Sequence, residues 1–194
     1  MLYSLNDVTV SFQGESILSH IDFEIKGNEK IAIVGRNGVG KTTLLKVMAG
    51  EIEPDRDDKR QGEAISRSRQ LSIGMLHQTM EKELDKTVEE ILEESYKGAD
   101  KYSKERFYYE MEYDKLFVGF GLKKEDKKKK LREFSGGEKT KIGLIKLFLA
   151  KPDILLLDEP TNNLDMKTVE WLEEYIKGYE KAVVLVSHDR FFLD

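Results

Sequence analysis

Gly35-Arg36-Asn37-Gly38-Val39-Gly40-Lys41-Thr42 is the stretch of sequence that decides the fold. It follows a short apolar segment, 30–34, and leads into a helical pattern, 41–49, that Gly50 closes. The spacing fits G-x-x-x-x-G-K-[ST] in the context that this pattern requires, directly after a strand and opening a helix. The sequence therefore predicts an α/β fold with a nucleotide-binding loop, and a chance glycine-rich turn is the alternative.

The residue types in this segment, which we call the phosphate loop, suit the phosphates of a nucleotide. Glycines let backbone N–H groups approach phosphate oxygens, and the N-terminus of the following helix adds a favourable dipole. Lys41 supplies a positive charge to the outer phosphates, and the hydroxyl of Thr42 is a ligand for Mg²⁺. We therefore expect the phosphate loop to bind a nucleotide together with Mg²⁺.

Two carboxylates follow the longest apolar run of the chain. The run Ile154 to Leu157 predicts a strand buried on both faces, and Asp158 and Glu159 come directly after it. Open α/β sheets bind ligands at the carboxyl ends of their strands. Asp158 is therefore a candidate to hold Mg²⁺ through water, and Glu159 is a candidate to orient or deprotonate an attacking water. The alternative, two loop carboxylates without a catalytic role, is disfavoured by the phosphate loop earlier in the chain.

A second glycine-containing segment, Phe134-Ser135-Gly136-Gly137-Glu138, begins another helix. Ser135 and Glu138 have the spacing of a capping box, and a serine hydroxyl beside the N–H groups of a helix start can also bind an anion. A chain that binds one nucleotide does not need two phosphate sites. We therefore expect this segment to face the γ-phosphate held by a second domain of the same kind, and an ordinary helix cap is the alternative.

The remaining pattern predicts a β hairpin, a helical middle and further parallel strands. Alternating apolar positions in 2–12 and 17–25 predict antiparallel strands joined at residues 13–15, and 71–76 and 181–186 have strand character. Helices are expected from Thr87, whose capping box includes Glu90, and from Ser103 towards Leu116. Helical spacing favours core and interface packing over base stacking for a group of aromatic residues, Tyr102, Phe107, Tyr108, Tyr109 and Tyr113.

Composition narrows the classes of protein to consider. The 194 residues contain no Cys and have a net charge of −5, which excludes disulfides and gives no reason to expect DNA binding. The longest apolar run is too short to cross a bilayer and no signal-peptide pattern begins the chain, so we expect a cytoplasmic protein. The basic segment, Lys123 to Arg132, is interpreted as a solvated surface, with a phosphate-backbone contact as the alternative.

These motifs, in this order along nearly the whole chain, resemble those of the ATP-binding cassette (ABC) ATPases. The resemblance implies a P-loop NTPase (RecA-like) core, an N-terminal antiparallel β subdomain and an inserted α-helical subdomain. ATP and Mg²⁺ are the implied ligands. A single cassette would then occupy 1–194, with the β subdomain and α/β core in 1–78 and 151–194 and the helical subdomain in 79–150.

The resemblance also assigns roles to single residues. Nucleotide contacts would come from Phe12, which stacks on adenine, and from Gly35, Asn37, Gly38, Val39, Gly40, Lys41, Thr42 and Thr43. Contacts to the opposing cassette's nucleotide would come from the signature segment, Ser135, Gly136, Gly137 and Glu138, and from Asp165 of the D-loop, Asn163-Leu164-Asp165. Metal ligands would be Thr42, Gln78 and Asp158, and catalytic residues Glu159, His188, Gln78 and Lys41. A core position is the alternative for Phe12.

Several details are similar to the ABC-F subfamily, whose members act on ribosomes and lack transmembrane domains. Glu138 stands where transporter signatures commonly have Gln, and segments 161–165 and 187–194 resemble their ABC-F counterparts. Members normally contain two cassettes, so we expect the first cassette of a longer protein, weakly active alone. Its expected partners are a second cassette, in the same chain or in a homodimer, and the ribosome with its rRNA, in translation or antibiotic resistance.

Two other functions are compatible with the motifs. The first is the ATP-binding subunit of a membrane transporter, whose partner would be a membrane-domain subunit. The second is a nucleotide-dependent dimerisation switch with little turnover, against which the carboxylate of Glu159 argues.

Overall fold

The computed structural model describes residues 1–57, 62–76, 83–98, 100 and 102–187. Its strands are β1 (Tyr3–Phe12), β2 (Glu15–Ile25), β3 (Lys30–Val34), β4 (Ile65–Arg67), β5 (Ile73–Met75), β6 (Ile154–Asp158) and β7 (Ala182–Ser187). Its α-helices are α1 (Lys41–Ala49), α2 (Val88–Glu93), α3 (Lys104–Gly119), α4 (Gly136–Ala150) and α5 (Met166–Gly178). Two compact units result: the described residues of 1–75, 153–159 and 179–187, and those of 76–152 and 160–178.

The first unit contains an antiparallel sheet of order β2-β1-β4. The turn between β1 and β2 has Gln13 and Gly14 at φ 52 and 86, and Phe12 pairs with Glu15 across it. Two residues of positive φ match the right-handed twist of a hairpin, so the predicted strands meet where the sequence placed the turn. Within 54–70, β4 is the only regular element among the described residues.

A parallel sheet of order β3-β7-β6-β5 forms the other half of this unit. Every residue of β6 is buried, as the unbroken apolar run Ile154 to Leu157 predicts for a central strand. Helix α1 buries Leu44, Leu45, Val47 and Met48 in the same core. Because the strands are parallel, the ends of β3 and β6 lie at the same edge of the sheet, which places the phosphate loop and Asp158 at that edge.

The second unit is helical. Thr87, Ser103 and Ser135 cap α2, α3 and α4, each accepting a hydrogen bond from the backbone N–H three residues later. The rings of Phe120, Phe148, Trp171 and Tyr175 pack against one another, with the two phenylalanines buried and Trp171 and Tyr175 half-buried, so Trp171 is a packing residue.

Only part of the aromatic group expected in core and interface packing lies in the core, and an interface role for the rest stays a prediction. Phe107, Tyr108 and Tyr102 are exposed, and so is Met111, while Tyr113 is buried. The cause is Arg106, a buried cation that pairs with Glu93 and Glu110 and lies 5.0 Å from the ring centroid of Tyr96. In α3, Arg106 occupies a buried position that helical spacing would otherwise give to an apolar residue. The next residue, Phe107, is therefore turned towards the surface.

Strand β5 is also shorter than the sequence predicts, three residues instead of the segment 71–76. None of the helices in the described part of the chain is long and apolar enough to cross a bilayer. The subdomain boundaries at 78, 79, 150 and 151 stay a prediction.

Candidate functional site

The phosphate loop has a backbone that glycine makes possible. Gly38 and Gly40 have φ of 83 and 92, in the left-handed region that other residues rarely adopt. A Cβ on Gly40 would lie 2.8 Å from Cδ2 of Leu18 and 3.0 Å from the carbonyl oxygen of Ile17. Gly40 thus allows helix α1 to begin in close contact with β2.

Lys41 closes this loop upon itself. Its side chain is buried, and Nζ donates hydrogen bonds to the carbonyl oxygens of Gly35 at 2.8 Å and Arg36 at 2.9 Å. A buried ammonium group requires such acceptors, because an unpaired charge away from water is costly. These two hydrogen bonds therefore hold the positive charge of Lys41 at the phosphate loop, where the phosphates of a nucleotide would bind.

Thr42 and Asp158 come together at the edge of the parallel sheet. Oγ1 of Thr42 donates a hydrogen bond of 2.7 Å to Oδ2 of Asp158. A hydroxyl and a carboxylate are hard oxygen ligands of the kind that Mg²⁺ prefers, so the pair fits this cation. Among the described residues there is no group of three His, Cys, Asp or Glu that could hold a metal. Oxygens of phosphate and water would be further ligands, and Gln78, the other predicted ligand, lies outside the described residues.

Glu159 directly follows β6 and has an unusual backbone conformation. Its φ is 46, in the left-handed region, while its N–H still donates to the carbonyl oxygen of Val186 at 2.9 Å. Such a backbone is unfavourable for a residue with a Cβ, and it persists where surrounding structure fixes it, often at functional sites. The carboxylate predicted to act on water therefore directly follows the proposed metal ligand on a constrained backbone.

The signature segment begins α4 as a complete capping box. Oγ of Ser135 accepts from the N–H of Glu138 at 3.3 Å, and Oε2 of Glu138 accepts from the N–H of Ser135 at 2.8 Å. The second of these hydrogen bonds holds the pKa of Glu138 below its usual range. The helix cap that the sequence offered as an alternative is thus present, and capping leaves the exposed Ser135 and Gly136 at the surface of the unit.

The D-loop belongs to the same unit as the signature segment. Asp165 accepts hydrogen bonds from the N–H and the hydroxyl of Thr168 and pairs with Lys141 at 2.9 Å. Phe12, in the other unit, is 47% exposed, which excludes the core position that the sequence left open for it.

The structure therefore assembles the predicted residues in two groups. The phosphate loop, Asp158 and Glu159 lie at one sheet edge of the first unit, and Ser135 to Glu138 and Asp165 lie in the second. Gln78 and His188 are outside the described residues. Lys141 is a contact that the sequence predictions missed, although its spacing of four from Gly137 places both on one helix face.

The basic segment is extensively paired. Lys124 and Lys127 contact the carboxylate of Asp114, and Lys129 contacts that of Asp126. Arg132 pairs with Asp85. These contacts favour the interpretation as a charged surface of the helical unit over a contact to a phosphate backbone.

Comparison with known families gives one match that covers most of the chain. The family described as ABC transporter matches residues 18–162. Three similar curated proteins are YdiF of Bacillus subtilis, ABC transporter F family member 5 of Arabidopsis thaliana and the tylosin resistance ATP-binding protein TlrC of Streptomyces fradiae. They are 36%, 32% and 32% identical over 100%, 98% and 98% of this chain. The chain spans 35%, 32% and 40% of their lengths.

Solved structures confirm the fold. An ATP-binding subunit of an ABC transporter is 25% identical, with a TM-score of 0.79 over 97% of this chain and 80% of that one. A dimeric ATP-binding cassette in a post-hydrolysis state, bound to ADP and Pi, is 25% identical, with a TM-score of 0.74 over 98% of this chain and 90% of that one. The predicted α/β fold with an antiparallel β subdomain is therefore confirmed.

Proposed function

Because the chain belongs to the ABC transporter family of ATP-binding domains, we propose that it hydrolyses Mg-ATP at a composite site completed by a second cassette. The 2.7 Å hydrogen bond between Thr42 and Asp158 is the observation that carries this proposal. It joins the start of the loop helix to the end of the central strand, so the residues that would hold a cation at the outer phosphates, Thr42 directly and Asp158 through water, lie side by side. Lys41 would supply the adjacent positive charge to those phosphates.

Each residue then has a separate task. Thr42 would hold Mg²⁺ directly and Asp158 would hold it through water; when bound, Mg²⁺ would supply charge neutralisation at the phosphates. Glu159 orients the attacking water and accepts its proton. Phe12 stacks on adenine, and Gln78 and His188 contribute a metal contact and a γ-phosphate contact.

The second cassette supplies what one phosphate loop lacks. In the dimeric relative two such cassettes associate, which supports the same arrangement here. The exposed start of α4, with the Ser135 hydroxyl and the N–H groups of the first turn, is suited to the γ-phosphate of a nucleotide held by the partner. Asp165 would meet the partner beside it.

We propose further that the chain is the first cassette of a ribosome-associated ABC-F protein. The F family member of Arabidopsis thaliana and the tylosin resistance protein are each 32% identical to it, and both are more than twice its length. Cosedimentation of the Glu159→Gln variant in Mg-ATP, tested separately with ribosomes and with membrane vesicles, distinguishes this role from that of a transporter subunit. Binding to vesicles alone would favour the transporter.

A matched pair of carboxylates tests the chemistry. Asp158→Asn removes the charge at the carboxyl end of β6, whereas Asp153→Asn makes the same substitution just before the strand begins. Phosphate release by the full chain should fall by about a hundredfold or more with Asp158→Asn, within the range of groups that stabilise developing charge. Asp153→Asn should retain most of the turnover. Equal turnover of the two variants would contradict the assignment of Asp158.

A further inference from the structure

The D-loop lies against one face of α4, the helix that the signature segment begins. Gly137 and Lys141 are four residues apart, so their side-chain positions lie one above the other on this face. Gly137 faces the backbone of Asn163, and Lys141 contacts Asp165. The D-loop is thus held at two successive points along the first turns of the helix.

The first point depends on the absence of a side chain. A Cβ on Gly137 would lie 2.8 Å from the carbonyl oxygen of Asn163, a separation that Cβ atoms essentially never show. Asn163 has φ of 65, a conformation that Asn tolerates better than most residues, and the N–H of Leu164 closes a turn onto the carbonyl oxygen of Thr161 at 3.1 Å. The backbone of the D-loop is therefore held in a turn conformation and packs closely against α4.

The second point is an ion pair between Lys141 and Asp165, in which the lysine side chain is largely buried. The side chain of Lys141 is 13% exposed, and its Nζ lies 2.9 Å from Oδ2 of Asp165. The carboxylate also caps α5 through the N–H of Thr168 at 3.0 Å and its hydroxyl at 2.7 Å. Hydrogen bonds from Thr168, followed by the one from Lys141, hold the pKa of Asp165 well below its usual range. The carboxylate therefore stays charged and ties α4 to the start of α5.

We propose that Lys141 is a positioning residue of the composite site, which makes the signature segment and the D-loop meet the partner's nucleotide as one rigid element. The proposal rests on the function proposed above, in which both segments face the other cassette. Lys141 acts through Asp165, towards which its ammonium group is directed. Placement matters because a displacement of about 1 Å can lower a rate by up to about a hundredfold.

The central variant is Lys141→Met in the full chain, which keeps the length of the side chain and removes its charge. Turnover should fall by about tenfold or more, whereas ATP affinity measured at low protein concentration should not change, because the phosphate loop belongs to the other compact unit. Lys139→Met removes the same charge from the same helix, at a residue with no ion pair among the described residues, and should behave as the wild type. Lys141→Arg should restore most of the turnover.

A double-mutant cycle tests whether Lys141 acts through Asp165. Asp165→Asn keeps an oxygen to accept from Thr168 and removes the charge that Lys141 contacts. Asp165→Asn should lose at least as much turnover as Lys141→Met, since Asp165 also meets the partner, and the double variant should be no worse than Asp165→Asn alone, because contacting residues are not additive. Independent, additive losses would overturn the proposal.

Hydrogen exchange supplies a readout that needs no nucleotide. The amides of Leu164 and Thr168 should exchange faster in Lys141→Met than in the wild type or in Lys139→Met, since both amides donate within the segment that Lys141 anchors. Unchanged exchange would refute the positioning role even if ATP is hydrolysed. Conversely, a wild-type chain without any turnover would refute the proposed function, while the exchange data would still show whether Lys141 holds the D-loop in place.

Discussion

Thr42 Oγ1 and Asp158 Oδ2 lie 2.7 Å apart, although 116 positions separate the two residues along the chain. The contact is a product of topology. Parallel strands β3 and β6 flank β7 and end at the same sheet edge, so the helix start after one and the carboxylate after the other are neighbours. Brought together in this way, the two oxygens define the candidate metal position on which the proposed hydrolysis depends.

Lys41→Ala should weaken the binding of ATP far more than that of adenosine. The substitution removes the charge that the phosphate loop holds, together with the two hydrogen bonds that close the loop, and leaves Phe12 in place. Hydrogen bonds to charged groups contribute about 1.5 to 3 kcal/mol, so affinity for ATP should fall by at least about tenfold. Calorimetric titration with both ligands measures this difference, and unchanged ATP affinity would show that the phosphates bind elsewhere.

Glu159→Gln should stop turnover and preserve nucleotide binding. The amide keeps the shape and much of the hydrogen bonding of the carboxylate but cannot accept a proton from water. A positioned general base contributes about 10²- to 10⁴-fold, so hydrolysis should fall by at least the lower value. Retained ATP should then hold two cassettes together. Size-exclusion chromatography in Mg-ATP and in ADP tests this, and wild-type turnover with the same elution volume in both would remove Glu159 from the mechanism.

Lys127→Gln should destabilise the helical unit, whereas Lys128→Gln should not. Lys127 is 14% exposed, pairs with Asp114 and lies 4.5 Å from the ring centroid of Tyr113, and the neighbouring Lys128 is exposed. Loss of a partly buried pair and of a cation–π contact should lower the free energy of unfolding by about 1 to 2 kcal/mol. Urea unfolding of both variants measures the difference. Equal stability would mean that the whole basic segment is a solvated surface.

Acid should destabilise the protein through Asp153. Hydrogen bonds from Ser72, followed by the ion pair with Lys181, hold the pKa of Asp153 well below its ordinary value of 3.8. A pKa lowered in the folded state means that the unfolded chain binds the proton first, so this contribution is complete above 3.8 and declines as the pH falls below it. Between about pH 5 and pH 3, urea unfolding of Asp153→Asn should therefore show a smaller loss of stability than that of the wild type. A parallel decline in the two proteins would contradict this.

Local patterns in the sequence predicted much of the fold, because each depends on residues that are close along the chain. The phosphate loop, the hairpin at Gln13 and the capping box at Ser135 are of this kind. The outward turn of Phe107 could not be predicted, since it depends on the pairing of Arg106 with Glu93 in another helix. The anchoring of the D-loop by Lys141 was missed for the same reason, as a contact 24 positions away leaves no periodic trace.

The dependence of turnover on protein concentration tests the composite site most directly. If each nucleotide needs the signature segment of a second cassette, the specific activity of this chain should rise with concentration and level off when the chains are paired. Phosphate release per chain, measured across a dilution series alongside sedimentation to report the association state, decides the matter. A specific activity that stays constant on dilution, in protein that sediments as a monomer, would contradict the account.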